Sequence, residues 1–221
     1  NREEITIDGF DKAKKYTAKE IADRNYNIDL CGYPHEEEEI LAPKDFKELE
    51  KMMGYAVKAK KPILIRYPRG GEAKIKFDEP KDIRTGKAEI IKNGENISII
   101  AIGKMVARAV EVADILKEEG INAEVINARF LKPLDEETIT NSITKTKVVI
   151  TIEDNIIEGA LGTRIEELIV EKNIQAKIRK FGYPDKFIKH GTPQELEKIY
   201  GLDAENIAKN CAKILEKNLY V

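Results

Sequence analysis

The chain has no tryptophan, two cysteines (Cys31 and Cys211) and two histidines (His35 and His190). Two cysteines so far apart make neither a disulfide framework nor a metal-ligand spacing, and they fit a reducing compartment. Two histidines leave little scope for imidazole chemistry. His35 lies beside four glutamates and His190 precedes Gly191, so each reads as a surface or turn residue. No apolar run approaches the ~18 residues of a membrane helix, and no signal-peptide pattern opens the chain. The expectation is a cytoplasmic protein without a membrane partner. An excess of one charge is lacking as well: 38 Lys and Arg face 40 Asp and Glu, a net charge of −2. That balance gives no field to gather nucleic acid. Ser-His-Asp patterns, Walker loops and dinucleotide fingerprints are also missing.

What is present is material for a core. A chain of 221 residues, 42% of them hydrophobic, makes one or two domains. Residues 1–40 are poorly patterned and stay unassigned; the four glutamates at 36–39 disfavour packing there. From Ala42 the pattern sharpens. Asp45 is a plausible N-cap for a helix with Phe46, Leu49, Met52, Met53, Ala56 and Val57 on one face. Ile63–Ile65 reads as a buried strand, ended by Tyr67-Pro68-Arg69-Gly70-Gly71. Residues 72–84 read as a linker.

Beyond it, strands and helices alternate. Strands are expected at 97–102, 123–126, 147–152 and 176–181. Helices are expected at 106–119, closed by Gly120, at 162–172 and at 205–217. Thr192-Pro193 signals one more helix start. This alternation predicts an α/β fold: a mostly parallel sheet flanked by helices, over residues 85–221.

Three segments could carry function. Arg66 and Arg69 follow the strand at 63–65, and ligands of open parallel sheets bind outside the carboxyl ends of strands. Pro68 stiffens the approach to Arg69, whose planar fork suits a phosphate or carboxylate. A structural salt bridge is an equal reading on spacing alone. Gly159-Ala160-Leu161-Gly162 opens a helix after a strand, which suits an anion or, more commonly, close packing of helix on sheet. Glu153-Asp154-Asn155 at a strand's end could be catalytic, could face a partner subunit or could cap the next helix; geometry favours the last two.

Several runs, in order, resemble one family. They are Ala42–Asp45 with Glu48-Leu49, Arg66–Gly70, Asn127–Asp135, Thr151–Asn155, Gly182–Ile188 continuing through His190–Thr192, and Gly201–Ala204. Together they are similar to 1-deoxy-D-xylulose-5-phosphate synthase. The resemblance implies a thiamine-diphosphate-dependent transferase, a homodimer of three-domain subunits. It joins pyruvate to glyceraldehyde 3-phosphate with release of carbon dioxide, using Mg2+, in isoprenoid, thiamine and pyridoxal precursor synthesis. It implies that residues 41–84 are the end of a pyrimidine-binding-type α/β domain plus linker. Residues 85–221 are then a transketolase-type C-terminal domain. The family's Gly-Asp-Gly metal stretch and its Glu-Gln-His stretch have no match here. No catalytic, cofactor or metal residue carries over, and the chain alone is expected to bind no cofactor and to be inactive. Of the family's ligands only Arg69 matches, as the arginine that holds the acceptor's phosphate. Two other readings are a stand-alone C-terminal assembly module and the β subunit of a 2-oxoacid dehydrogenase.

Overall fold

The computed structural model describes residues 38–216, apart from 69, 70, 72 and 74, together with the backbone of two short strands. These are β1 (Ile5–Ile7) and β2 (Phe10–Ala13), an antiparallel pair. Contacts group residues 1–37 as one unit and residues 38–221 as another. Cys31, His35 and Arg69 lie outside the described residues.

The larger unit opens with β3 (Glu39–Leu41), α1 (Phe46–Lys58) and β4 (Ile63–Ile65). Next come β5 (Glu89–Lys92), β6 (Ile97–Ala101), α2 (Met105–Glu118), β7 (Ala123–Asn127) and β8 (Phe130–Lys132). The chain then runs through α3 (Glu136–Thr146), β9 (Val148–Ile156), α4 (Leu161–Glu171) and β10 (Lys177–Tyr183). It closes with α5 (Pro193–Ile199) and α6 (Ala204–Glu216).

Five strands form the main sheet in the order β10-β9-β6-β7-β5. All its pairings are parallel except the antiparallel β5–β7 edge. β6 lies in the middle, and its five residues are buried, as a strand covered on both faces requires. On one side α2 and α6 cover Ile97, Ile99 and Ala101; on the other, Ile100 packs with residues of α3 and α4. The polar Ser98 inside this strand is satisfied by the hydroxyls of Ser142 and Thr146, at 2.6 and 2.7 Å. Gly94 lets the turn before β6 press on the start of β7. A Cβ there would lie 2.2 Å from the Ala123 carbonyl carbon.

A second sheet has the order β4-β3-β8, with β3–β4 parallel and β3–β8 antiparallel. Leu41, Met52 and Phe130 are its small core.

The α/β fold with a mostly parallel sheet is as the alternation predicts, and Asp45 and Thr192 cap α1 and α5. Other readings are corrected. α1 does not bury the whole apolar set: Met52 is fully buried, but Phe46 and Met53 are exposed and Val57 is 86% exposed. Its inward stripe instead runs through Glu48 and Met52. β4 is only half-buried, with Leu64 turned out. Glu39, expected to resist packing, is fully buried in β3. Lys61 lies 2.6 Å from one of its carboxylate oxygens, and the Tyr55 hydroxyl donates to the other at 2.7 Å. Burial pushes this carboxyl up, but Lys61, Tyr55 and Thr85 outweigh that and hold it below the ordinary range.

Candidate functional site

The connections of the main sheet reverse direction at β6. β7 lies on one side of it and β9 on the other. Such a switch point opens a crevice at the carboxyl ends of the two strands. Beyond β6 the chain turns at Gly103, with φ of +62°, and presents Lys104. From the end of β9 comes Asp154. The second sheet supplies Arg66, directly after β4, whose N–H donates to the Leu41 carbonyl at 2.8 Å.

These side chains form a relay. Arg66 Nη2 donates to the Asp154 carbonyl and to Asp154 Oδ1, each at 2.9 Å. Lys104 Nζ lies 3.5 Å from Asp154 Oδ2 and donates to Glu197 Oε1 at 3.2 Å. Arg108 Nη2 donates to Glu197 Oε2 at 2.7 Å. One chain of alternating charge thus links β4, β9, α2 and α5. The neighbouring Tyr183 hydroxyl is pushed above its ordinary pKa, by burial first and then by Glu197 and Asp154. Beside the turn that follows Arg66 runs a narrow groove of about 40 Å³, lined by Pro43, Phe46, Tyr67, Pro68, Gly71 and Lys104.

Of the two arginines read from the sequence, Arg66 is therefore a structural ion-pair partner. Arg69, the one substrate-binding candidate, is outside the described residues. The acidic turn resolves more fully. Glu153 is buried and accepts from the N–H groups of Leu161 and Gly162, at 3.2 and 2.9 Å. It caps α4, so the helix N-terminus that could have held an anion already holds this carboxylate. Gly162 answers to packing within the chain, since a Cβ there would lie 2.7 Å from Thr151 Oγ1 and 2.8 Å from the Lys180 side chain.

Burial pushes the Glu153 carboxyl up, against the opposing pull of Gly162, Leu161 and Arg66. The folded chain therefore binds this proton more tightly than the unfolded chain. Its contribution to stability is full below the unfolded pKa and is lost as pH rises through the folded one. Relative to the non-titrating Glu153→Gln, the wild-type chain should gain melting temperature between about pH 7 and about pH 4. Paired melting curves with a constant gap across that range would refute this.

A second polar centre lies where α1 meets β5 and β7. Arg129 Nε donates to Glu48 Oε1 at 2.7 Å, and its Nη2 lies 3.1 Å from Glu89 Oε2. Lys44 Nζ reaches the same two carboxylates at 3.1 and 2.7 Å. Asn127 Nδ2 donates to both Glu48 oxygens at 3.1 Å, and its Oδ1 accepts from the Arg129 N–H at 3.1 Å. Arg129 holds a left-handed backbone, φ +57°. Burial pushes the Glu89 carboxyl up, yet Lys44 and Arg129 outweigh it and hold that carboxyl below the ordinary range. The sequence reading missed this centre and the relay partners Lys104, Arg108 and Glu197. One signal was legible: Glu48 stands one helical turn before Met52, on the stripe that must face inward.

Among the described residues no group of three His, Cys, Asp or Glu could hold a metal ion, and no helix is long and apolar enough to cross a membrane. Cys211 is buried, and burial pushes its thiol up to about 12, which leaves it no thiolate to act as a nucleophile.

Residues 86–207 match the family described as transketolase, C-terminal domain. The chain belongs to that family. A 1-deoxy-D-xylulose-5-phosphate synthase from Caldanaerobacter subterraneus subsp. tengcongensis is 42% identical over 169 residues, 76% of this chain and 27% of the relative. A synthase of the same description from Dictyoglomus turgidum is 44% identical over 181 residues, 80% of this chain and 29% of the relative. The chain thus spans little more than a quarter of these relatives. Among solved structures, a split-gene transketolase in an inactive beta4 tetramer is 30% identical with a TM-score of 0.76, over 81% of this chain and 58% of that one. A Pichia stipitis transketolase, at 18% identity and a TM-score of 0.62, covers 81% and 25% and shows the shared fold. In this transketolase C-terminal domain β5 to β10 lie within the match. β3, α1 and β4 precede it.

Proposed function

We propose that the chain is the C-terminal part of a 1-deoxy-D-xylulose-5-phosphate synthase. The complete enzyme, a cytoplasmic homodimer, condenses pyruvate with glyceraldehyde 3-phosphate and releases carbon dioxide. The observation that carries the reading is identity near 40% to synthases over more than three quarters of the chain. The turn after β4 supports it, since it stands at a strand's carboxyl end beside a switch-point crevice. In this reading Arg69, on that turn, holds the acceptor's phosphate. The experiment that tests it is steady-state kinetics of Arg69→Ala in the complete enzyme. A Michaelis constant for glyceraldehyde 3-phosphate that does not move refutes it.

The described residues do not fit thiamine diphosphate or its Mg2+. Among the buried carboxylates, Glu48 is engaged by Arg129, Lys44 and Asn127, and Glu153 by the start of α4. The cofactor and its chemistry belong to other parts of the complete enzyme, and the chain alone turns nothing over. Calorimetric titration of the chain with thiamine diphosphate and Mg2+ should show no micromolar binding. Magnesium-dependent heat at that affinity would overturn the point.

A further inference from the structure

We infer that the buried centre of Lys44, Glu48, Glu89, Asn127 and Arg129 is an alignment joint, which fixes the angle at which the small β4-β3-β8 sheet and α1 sit on the main sheet.

The chain crosses between the two sheets in two residues. β7 of the main sheet ends at Asn127, and β8 of the small one starts at Phe130. The crossing is pinned on each side. The Ala128 N–H donates to the Ala101 carbonyl of β6 at 2.9 Å, and the Arg129 carbonyl accepts from the Ala42 N–H, just past β3, at 3.0 Å. Arg129 stands there in left-handed backbone, where glycine would be the undemanding residue. The use of an arginine at that place lies in its side chain, which reaches Glu48 of α1 and Glu89 of β5. Glu48 also accepts from the Lys44 N–H, the Lys44 ammonium and the Asn127 amide. The start of α1, the crossing and the β5 edge thus meet in one set of charges.

Among the described residues, apolar contact across this boundary is thin. Leu41, Met52 and Phe130 form a cluster of their own, separate from the two clusters of the main sheet. Ala42 and Leu131 reach into the main core, and Phe77 packs on it with its ring 5.5 Å from Lys44 Nζ. Apolar contact is non-directional, so a narrow seam of it admits several angles. The charge centre is satisfied at one. A small sheet that tilts draws Glu48 away from Arg129 and leaves both charges buried without a partner. The groove beside the relay has Pro43 and Phe46 on one wall and Lys104 on the other, so the joint also sets its width.

The test is the distance between two nitroxide labels in the full 221-residue chain, measured by pulsed dipolar electron resonance. Cys31→Ser removes a competing thiol, and Cys211 is buried. Labels at Val57→Cys on α1 and Val170→Cys on α4, both exposed positions, span the joint. Labels at Glu118→Cys on α2 and Val170→Cys stay on the main sheet's own helices and serve as the control. Glu48→Gln with Arg129→Met dissolves the joint without leaving a charge unbalanced. The spanning distance should then broaden or move to a new centre, while the control distance stays as in the wild type. The Arg66–Asp154 pair is left in place. A spanning distance that does not change therefore shows that pair or the apolar seam to suffice, and overturns the inference. Equal broadening of both distances is a general loosening and overturns it too. Should the double change fail to fold, Asn127→Ala keeps every charge and removes only the amide's bonds to Glu48 and to the Arg129 N–H. It should broaden the spanning distance alone, and an unchanged distance there overturns the joint as well.

Discussion

Arg129→Ala will lower the unfolding free energy of the chain by about 3–5 kcal/mol, the usual cost of breaking a buried ion pair from one side. Two cations, Lys44 and Arg129, face two anions, Glu48 and Glu89, and all but Glu89 are under 5% exposed. Removing the guanidinium leaves one excess negative charge where water does not reach. Domains of this kind have only ~5–15 kcal/mol in hand, so the loss is a large share. Urea unfolding should show a lower midpoint at unchanged slope. The double change Glu48→Gln with Arg129→Met leaves Lys44 beside Glu89, a neutral pair. It should recover more than half of the loss, since balanced replacement of buried charges is far milder than one-sided removal. If Arg129→Ala costs under about 1 kcal/mol, the value of an exposed pair, the centre is not the dry network its geometry describes.

The second large effect is on substrate. Hydrogen bonds to charged groups contribute ~1.5–3 kcal/mol, so Arg69→Ala in the complete enzyme should weaken glyceraldehyde 3-phosphate roughly 10- to 150-fold. Pyruvate carries no phosphate and should be little affected. Arg69→Lys should recover only part, because an ammonium supplies charge without the planar fork. Arg66→Ala should act differently: it breaks the ties to Asp154 and costs stability and turn order before it costs any direct contact. Varying each substrate in turn separates these outcomes. Equal losses for pyruvate and the aldehyde would remove Arg69 from the phosphate.

The main sheet was legible because its strands are plain apolar runs. Ile97–Ile102 and Lys147–Ile152 leave few alternatives to buried strands, and Asp45 and Thr192-Pro193 mark helix starts by capping chemistry. β5, β8 and α3 were not legible. β5 (Glu-Ile-Ile-Lys) and β8 (Phe-Leu-Lys) are too short for a period to show. α3 carries four threonines, and of its eleven residues only Ile139 and Ile143 are apolar. β3 was hidden by its charge: Glu39 packs only because Lys61 and Tyr55 meet it from elsewhere in the chain. The same reason hid both polar centres. A partner 79 or 81 residues away, as Asn127 and Arg129 are from Glu48, leaves no mark in local spacing. What spacing did give was the place, the carboxyl ends of strands.

The position of β6 has a bearing on how steady the relay is. A strand bonded on both edges and covered on both faces cannot release its hydrogen bonds by fraying. They open only when the whole domain does. Gly103 and Lys104 continue directly from that strand, and Asp154 stands on the strand beside it. The crevice is therefore bolted to the slowest-opening part of the molecule, while Arg66 hangs from a sheet of only three short strands. The Arg66–Asp154 ion pair ties that small sheet to the main one.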